Sequence, residues 1–185
     1  MSSETVGDKE LMATLGVGDV TALGELARRH QDRILSLAYR FLGRWDLAED
    51  IGQETFLRAW KAARHYTPKA KFTTWLSSIA INLCVDEQRR LMRSARPWQN
   101  LEPDSQVEWD CNGAEKRELV GIVQTAIMEL SERQRLAVIL HRYNGLSHSE
   151  ISEATGWSKS AVESLLVRAY ANLRNKLDKI KDFAE

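Results

Sequence analysis

Asp46-Leu47-Ala48-Glu49-Asp50-Ile51-Gly52-Gln53-Glu54-Thr55-Phe56-Leu57-Arg58-Ala59-Trp60 and, after a short interval, Phe72-Thr73-Thr74-Trp75-Leu76-Ser77-Ser78-Ile79-Ala80-Ile81-Asn82-Leu83-Cys84-Val85-Asp86-Glu87-Gln88-Arg89-Arg90 are the stretches on which the fold turns. In the first, Leu47, Ile51, Thr55, Ala59 and Ala63 recur at helical spacing, and Phe56 and Trp60 widen that face. The opposite stripe is Asp46, Glu49, Asp50, Gln53, Glu54, Arg58 and Lys61, acidic first and basic last, an order that suits the helix dipole. In the second, Leu76, Ile79 and Leu83 form the apolar stripe. Trp75, Asn82, Asp86, Arg89 and Arg93 fall together on another face. Aromatic, amide and guanidinium groups on one helix face have the chemistry to stack on bases, read a base edge and hold phosphates.

Together these two stretches resemble the second conserved region of bacterial extracytoplasmic-function (ECF) sigma factors, the small initiation subunits of RNA polymerase. The resemblance is long and specific. It implies that Asp50, Gln53 and Glu54 dock on a coiled-coil element of the largest polymerase subunit. Taken without it, that stripe is a solvated acidic face. It further implies that the loop His65-Tyr66-Thr67-Pro68-Lys69-Ala70-Lys71 and the start of the next helix capture a base flipped from the promoter -10 element. The residue types allow this: Tyr66, Phe72 and Trp75 offer stacking surfaces, and Lys69 and Lys71 offer phosphate contacts. Phe72 shares the stripe of Leu76 and Ile79 and reads as core, whereas Trp75 fits either role. Asn82 stands where the family carries an asparagine that contacts -10 DNA. From the residues alone, an amide in an apolar run either pairs with something buried or faces a partner. Asp86 is spaced to orient Arg89 or Arg90, and Arg89, Arg90 and Arg93 are expected on DNA backbone.

Toward the N-terminus, Asp8 to Met12 begins a short helix that Gly16 and Gly18 end. Asp19 is placed to cap the next one. There Leu23, Leu26, His30, Ile34, Leu37 and Phe41 keep helical spacing until Gly43 stops the run. His30 reads as a satisfied, half-buried histidine. The short connection to Asp46 predicts antiparallel packing of the two helices.

Toward the C-terminus, residues 97–113 carry Pro97, Pro103, Asn100, Asn112 and Gly113. They also hold Glu102, Asp104, Glu108 and Asp110 with no basic residue. This predicts an irregular acidic linker. The resemblance implies that it runs through the RNA-exit region of the polymerase, while its composition alone describes a solvated tether. Beyond it, Leu119, Ile122, Val123, Ala126, Ile127 and Leu130 form a helical stripe. Ser131 with Gln134 reads as a capping box for a helix carrying Leu136, Ile139, Leu140 and Tyr143, which Asn144-Gly145 ends. Ser147 with Glu150 is a second capping box, Gly156 a turn, and Ser158 the cap of a long helix with Val162, Leu166, Ala169, Leu173 and Leu177 facing in. A short helix, a glycine turn and a capped longer helix form the helix-turn-helix signature, with Ser152 small enough for close helix approach. Lys159, Ser160, Glu163, Ser164, Val167 and Arg168 face outward, toward the major groove. Residues 129–177 also resemble the family's fourth region, which reads the -35 element. Glu163 and Leu165 depart from the basic residues often found there. Glu163 can pair with Lys159 or accept from a cytosine amine.

The expected fold is therefore all-α: residues 1–96 as one small helical domain, 97–113 as linker, and 114–185 as a helix-turn-helix domain. The 185-residue chain has 26 basic and 26 acidic residues, a balance unlike that of a stand-alone DNA binder. Nine basic residues against Asp86 and Glu87 nevertheless concentrate between Phe56 and Arg96. That local field suits a protein that meets DNA when a partner presents it, and equally a solvated basic face. No apolar run approaches the roughly 20 residues of a bilayer span, and no secretory signal opens the chain, so a cytoplasmic location is expected. Cys84 and Cys111 read as free thiols. No metal or cofactor is expected, and His30, His65, His141 and His148 form no catalytic spacing. The leading reading is a sigma factor whose partners are core RNA polymerase, promoter DNA and, as the resemblance implies, an anti-sigma factor. The alternative is a stand-alone helix-turn-helix regulator, which leaves the Asp46–Arg93 pattern unused.

Overall fold

The computed structural model describes residues 6–93 and 114–184, with the side chains of 114–119 and 179–184 excepted. The expected linker and Cys111 lie outside the described residues. Among those described every regular element is helical: α1 (Asp8–Gly16), α2 (Thr21–Leu42), α3 (Trp45–Ala62) continuing into a 3-10 turn (Ala63–His65), α4 (Phe72–Arg93), α5 (Ala114–Met128), α6 (Glu132–Val138) continuing into a π turn (Ile139–Tyr143), α7 (His148–Thr155) and α8 (Lys159–Ala184).

Helix α2 is the spine. Gly43, at φ 71°, ends it by donating to Tyr39 O at 2.7 Å, which reverses the chain within two residues. Tyr39 then meets Trp45, and Leu35 lies against Gly52, so α2 and α3 run antiparallel as expected. A Cβ on Gly52 would sit 3.0 Å from Leu35 Cδ2. Gly16 likewise lets α1 press on the 3-10 turn, where a Cβ would meet Ala63 O at 2.9 Å. Leu47, Ile51, Thr55, Ala59 and Ala63 are all buried. Trp60 is a correction: expected to widen the buried face, it is 44% exposed. His30 is half-buried, donating to Asp8 Oδ2 at 2.9 Å with its ring 5.2 Å from Phe72. It therefore ties α1, α2 and α4 together.

In the C-terminal half, Ser147 and Glu150 form the expected reciprocal box, with Ser147 N donating to Glu150 Oε2 at 2.9 Å and Glu150 N to Ser147 Oγ at 3.3 Å. Ser158 accepts from Ala161 N at 3.2 Å. Ser131 occupies the N-cap of α6, but its side chain makes no cap hydrogen bond, so the first predicted box does not form. The helix beyond it also departs from expectation. After Val138 it widens, and Asn144 N reaches back five residues to Ile139 O at 3.1 Å. The extra residue carries Asn144, 5% exposed, toward α2 and turns Tyr143 out of the apolar stripe, where it is 37% exposed. On α8, Val162, Leu166 and Ala169 are buried, whereas Leu173 and Leu177 are only half-buried. Lys176 pairs with Glu129, just beyond α5.

The two helical groups are in contact. Arg135, 6% exposed, donates from α6 to Phe41 O on α2 at 2.9 Å and to Met128 O at 2.9 Å. Phe41 O lies in the last turn of α2, where carbonyls lack intrahelical donors. Arg40 lies 3.7 Å over the Tyr143 ring, and α4 packs on α7.

Candidate nucleic-acid interface

Helix α4 gathers most of the predicted -10 residues. Asn82, Asp86, Arg89 and Arg93 are exposed and follow at spacings of four, three and four, which aligns them along one face. Asn82 is thereby turned to solvent rather than paired inside, while the apolar side of its run, Ala80, Ile81, Leu83 and Cys84, is buried. Asp86 lies 3.8 Å from Arg89, a loose pair. Arg90 is held instead by Glu87, through two bonds of 2.7 and 2.6 Å, so only Arg89 is oriented by Asp86. Arg90 also feels the field of Asp50. Exposed, four residues from Asp86 and three from Arg93, it borders the Asn82–Arg93 face on the side toward Asp50 of α3.

At the N-terminus of α4 an aromatic cluster forms. Trp75 packs 4.6 Å from Tyr66 and 5.7 Å from Phe72 between ring centroids, and Phe72 itself is buried. Phe72 is thus core, as its stripe predicted, and Tyr66 and Trp75 remain half-exposed upon it. They line a cleft of about 450 Å³ with His65, Lys69, Thr74 and Ser78. Its far wall is Glu153 and Ala154 of α7, which nothing in the local sequence indicated. Lys71 is drawn to the same helix, its Nζ 2.9 Å from Glu150 Oε1.

On α3, Asp50 and Gln53 are exposed, and Glu54 is half-exposed and holds Arg58 Nε at 2.8 Å. That bond is the main reason the Glu54 carboxyl lies below its ordinary range. Leu57 and Trp60, 37% and 44% exposed, follow on the same side, one and two turns on from Gln53. This face is amphipathic rather than merely acidic. Trp60 was missed because an aromatic at helical spacing reads as core.

In the helix-turn-helix, Ser152 Oγ donates to Trp157 O at 2.6 Å and Gly156, at φ 73°, makes the turn. Lys159, Ser160, Glu163, Ser164, Val167 and Arg168 are all exposed on α8. Ser164 steadies Arg168, whose Nη2 donates to its Oγ at 2.7 Å. Glu163 turns to His148 Nδ1 at 3.6 Å and not to Lys159. Among the described residues no group of three or more His, Cys, Asp or Glu side chains is arranged to hold a metal ion, and no helix is long and apolar enough to cross a membrane.

Comparison with known proteins agrees with this arrangement. Residues 26–94 match the family model described as Sigma-70 region 2, and residues 121–173 match that of Sigma-70, region 4. The chain is 33% identical over 181 residues to the ECF RNA polymerase sigma factor SigE of Mycolicibacterium smegmatis, covering 96% of this chain and 70% of that one. It is 31% identical over 170 residues to SigW of Bacillus subtilis, covering 86% of this chain and 91% of that one. Among solved structures it is similar to CnrH in complex with the cytosolic domain of CnrY, with a TM-score of 0.68, 27% identity, and coverage of 93% and 97% of the two chains. With both regions matched, and a basic aromatic helix and a helix-turn-helix presented by one chain, this protein belongs to the ECF sigma factors of RNA polymerase.

Proposed function

We propose the following division of labour within that promoter-recognition function. Residues 1–96 grip core RNA polymerase and the -10 element, 97–113 connect, and 114–185 bind the -35 element. Asp50, Gln53 and Glu54 dock on the polymerase, with Leu57 and Trp60 supplying apolar area beside them. Tyr66, Lys69, Lys71 and Trp75 receive an unpaired base and its phosphates, and Asn82, Asp86, Arg89 and Arg93 track the same strand. Arg90, held by Glu87, lies between the polymerase face and the DNA face. Lys159, Ser160, Glu163, Ser164, Val167 and Arg168 enter the major groove.

The chain performs no bond chemistry. It lowers the free energy of melted promoter by binding unpaired DNA better than paired DNA, and the polymerase does the synthesis. It acts in the cytoplasm. An anti-sigma factor is its third partner, in keeping with the likeness to CnrH, whose solved structure holds the cytosolic domain of CnrY. The observation that carries the reading is the open Asn82–Asp86–Arg89–Arg93 face running on from the Tyr66–Trp75 cluster. Transcription in vitro with core polymerase on genomic DNA, with start sites mapped, tests it. Discrete starts that require this chain are expected. Tight sequence-specific binding by the chain alone, with no polymerase-dependent start, would overturn the reading in favour of a free regulator.

A further inference from the structure

Glu163 is the one acid on a face of α8 otherwise made of Lys159, Ser160, Ser164, Val167 and Arg168. A carboxylate there repels DNA phosphate unless a neighbour offsets its charge and aims it. His148, the first residue of α7, stands with Nδ1 3.6 Å from Glu163 Oε1. The Ser147–Glu150 box fixes the start of α7, and the bond from Ser152 Oγ to Trp157 O fixes α7 against the turn before α8. Behind His148 lies His141 of the π turn, with 5.4 Å between ring centroids. His141 Nδ1 is in turn 3.0 Å from Tyr170 OH. Glu163 and Tyr170 are seven residues apart on α8, so they share one stripe. The four side chains form a brace that leaves α8 at Tyr170, crosses two imidazoles and returns at Glu163. Burial, and then the nearness of His148 and Arg142, lowers the His141 pKa. His141 is thus a neutral support near pH 7 and not a second cation drawing on the Glu163 carboxylate.

We propose that His148 is a positioning residue for promoter specificity: it holds Glu163 through Oε1 and leaves Oε2 aimed at the amine of a cytosine in the -35 element. The inference rests on the proposed -35 role of α8. A carboxylate accepts from cytosine N4 in the major groove, whereas guanine O6 and thymine O4 are themselves acceptors. The contact therefore selects at one base pair and adds little to binding at large. Holding a long exposed side chain beforehand reduces the ordering cost at that base pair. His148 itself reads no base.

The test uses holoenzyme assembled from core polymerase and the full chain, transcribing a mapped promoter whose -35 positions are randomised, with the transcripts sequenced and folding checked by circular dichroism. Glu163→Ala is expected to lose about tenfold in preference for cytosine at a single position. His148→Ala should lose roughly threefold or more at that same position and at no other. The double variant should be no worse than Glu163→Ala, because the two residues act through one contact. His148→Asn keeps a donor near the place of Nδ1 and should retain the preference. His148→Asp suits the first turn of α7 but repels Glu163, and should lose the preference in a folded protein. A histidine that merely stabilised α7 would lower all -35 sequences together. Uniform loss, unchanged preference in His148→Ala, additive losses in the double variant, or His148→Asn no better than His148→Asp would each overturn the proposal. Failure of the -35 assignment looks different: Glu163→Ala and Arg168→Ala would then leave every -35 preference in place, and the positioning would fall with it. Failed positioning alone leaves the effects of those two substitutions intact.

Discussion

Glu150 serves two structures with one carboxylate. Its bond from Ser147 N is the largest cause, and its pair with Lys71 the next, of a pKa lowered from 4.5 to about 2. A carboxyl depressed in the folded state contributes stability above its unfolded value, and that contribution is lost as pH falls through the folded one. The excess melting temperature of the native protein over Glu150→Gln is therefore expected to be full near neutral pH, to shrink below about pH 4.5 and to vanish toward pH 2. Thermal melts of both proteins across that range test it; a constant difference would contradict the assignment. Cys84 makes a second residue-scale case. It is fully buried in α4, and burial pushes its thiol far above the ordinary range. Thiolate is the reactive form, so in native protein at pH 8 the peptide containing Cys84 should stay unlabelled by iodoacetamide, and label only at the rate of unfolding. Mass spectrometry of the digested protein reads this directly.

At the scale of elements, the caps offer a graded test. Ser147→Ala removes a formed cap from α7 and is expected to cost about 1 kcal/mol. Ser131→Ala removes a serine whose side chain makes no cap bond and should cost far less; urea unfolding of the two variants should separate them. Gly16→Ala drives a Cβ to 2.9 Å from the Ala63 carbonyl, a backbone atom that cannot swing aside, and a loss of about 1–3 kcal/mol is expected. These cases also show what was legible in the sequence. Gly43, Ser147, Gly156 and Ser158 act on groups within five residues of themselves, so spacing alone announced them. The helical stripes were legible for the same reason, since periodicity reports which side is buried. It did not report the outcome for Trp60, because an aromatic fits a core and an interface equally well. Nor did it report the π turn, just beyond which Asn144 meets α2 across more than a hundred residues. The pairing of Lys71 with Glu150 belongs to the same class: two charges that each read as solvated meet only because α4 and α7 pack.

For the whole molecule, the decisive quantity is how a chain of zero net charge selects promoters at all. Basic residues near α4 supply a local attraction, but a few phosphate contacts give binding that falls steeply with salt. Joining two such weak contacts through a shared large partner makes the second binding event intramolecular and multiplies their strength. Selectivity then hangs on the polymerase grip, and the α3 face is where that grip is proposed. Asp50 is exposed, so Asp50→Lys should leave the fold intact, whereas Glu54→Lys also strips Arg58 of its partner. Asp50→Lys alone is thus the cleaner variant. It is expected to weaken binding to core polymerase at least tenfold, about 1.4 kcal/mol, with an unchanged circular dichroism spectrum and unchanged affinity for the isolated -10 strand. Fluorescence titration with core polymerase checks the first and a labelled single strand checks the last. Transcription should fall in proportion to polymerase binding and recover when core is raised to saturation, because the proposed DNA face on α4 is untouched. Undiminished polymerase binding in a folded Asp50→Lys protein would move the grip elsewhere. A loss of transcription that saturating core does not restore would mean that α3 takes part in opening the promoter as well as in holding the polymerase.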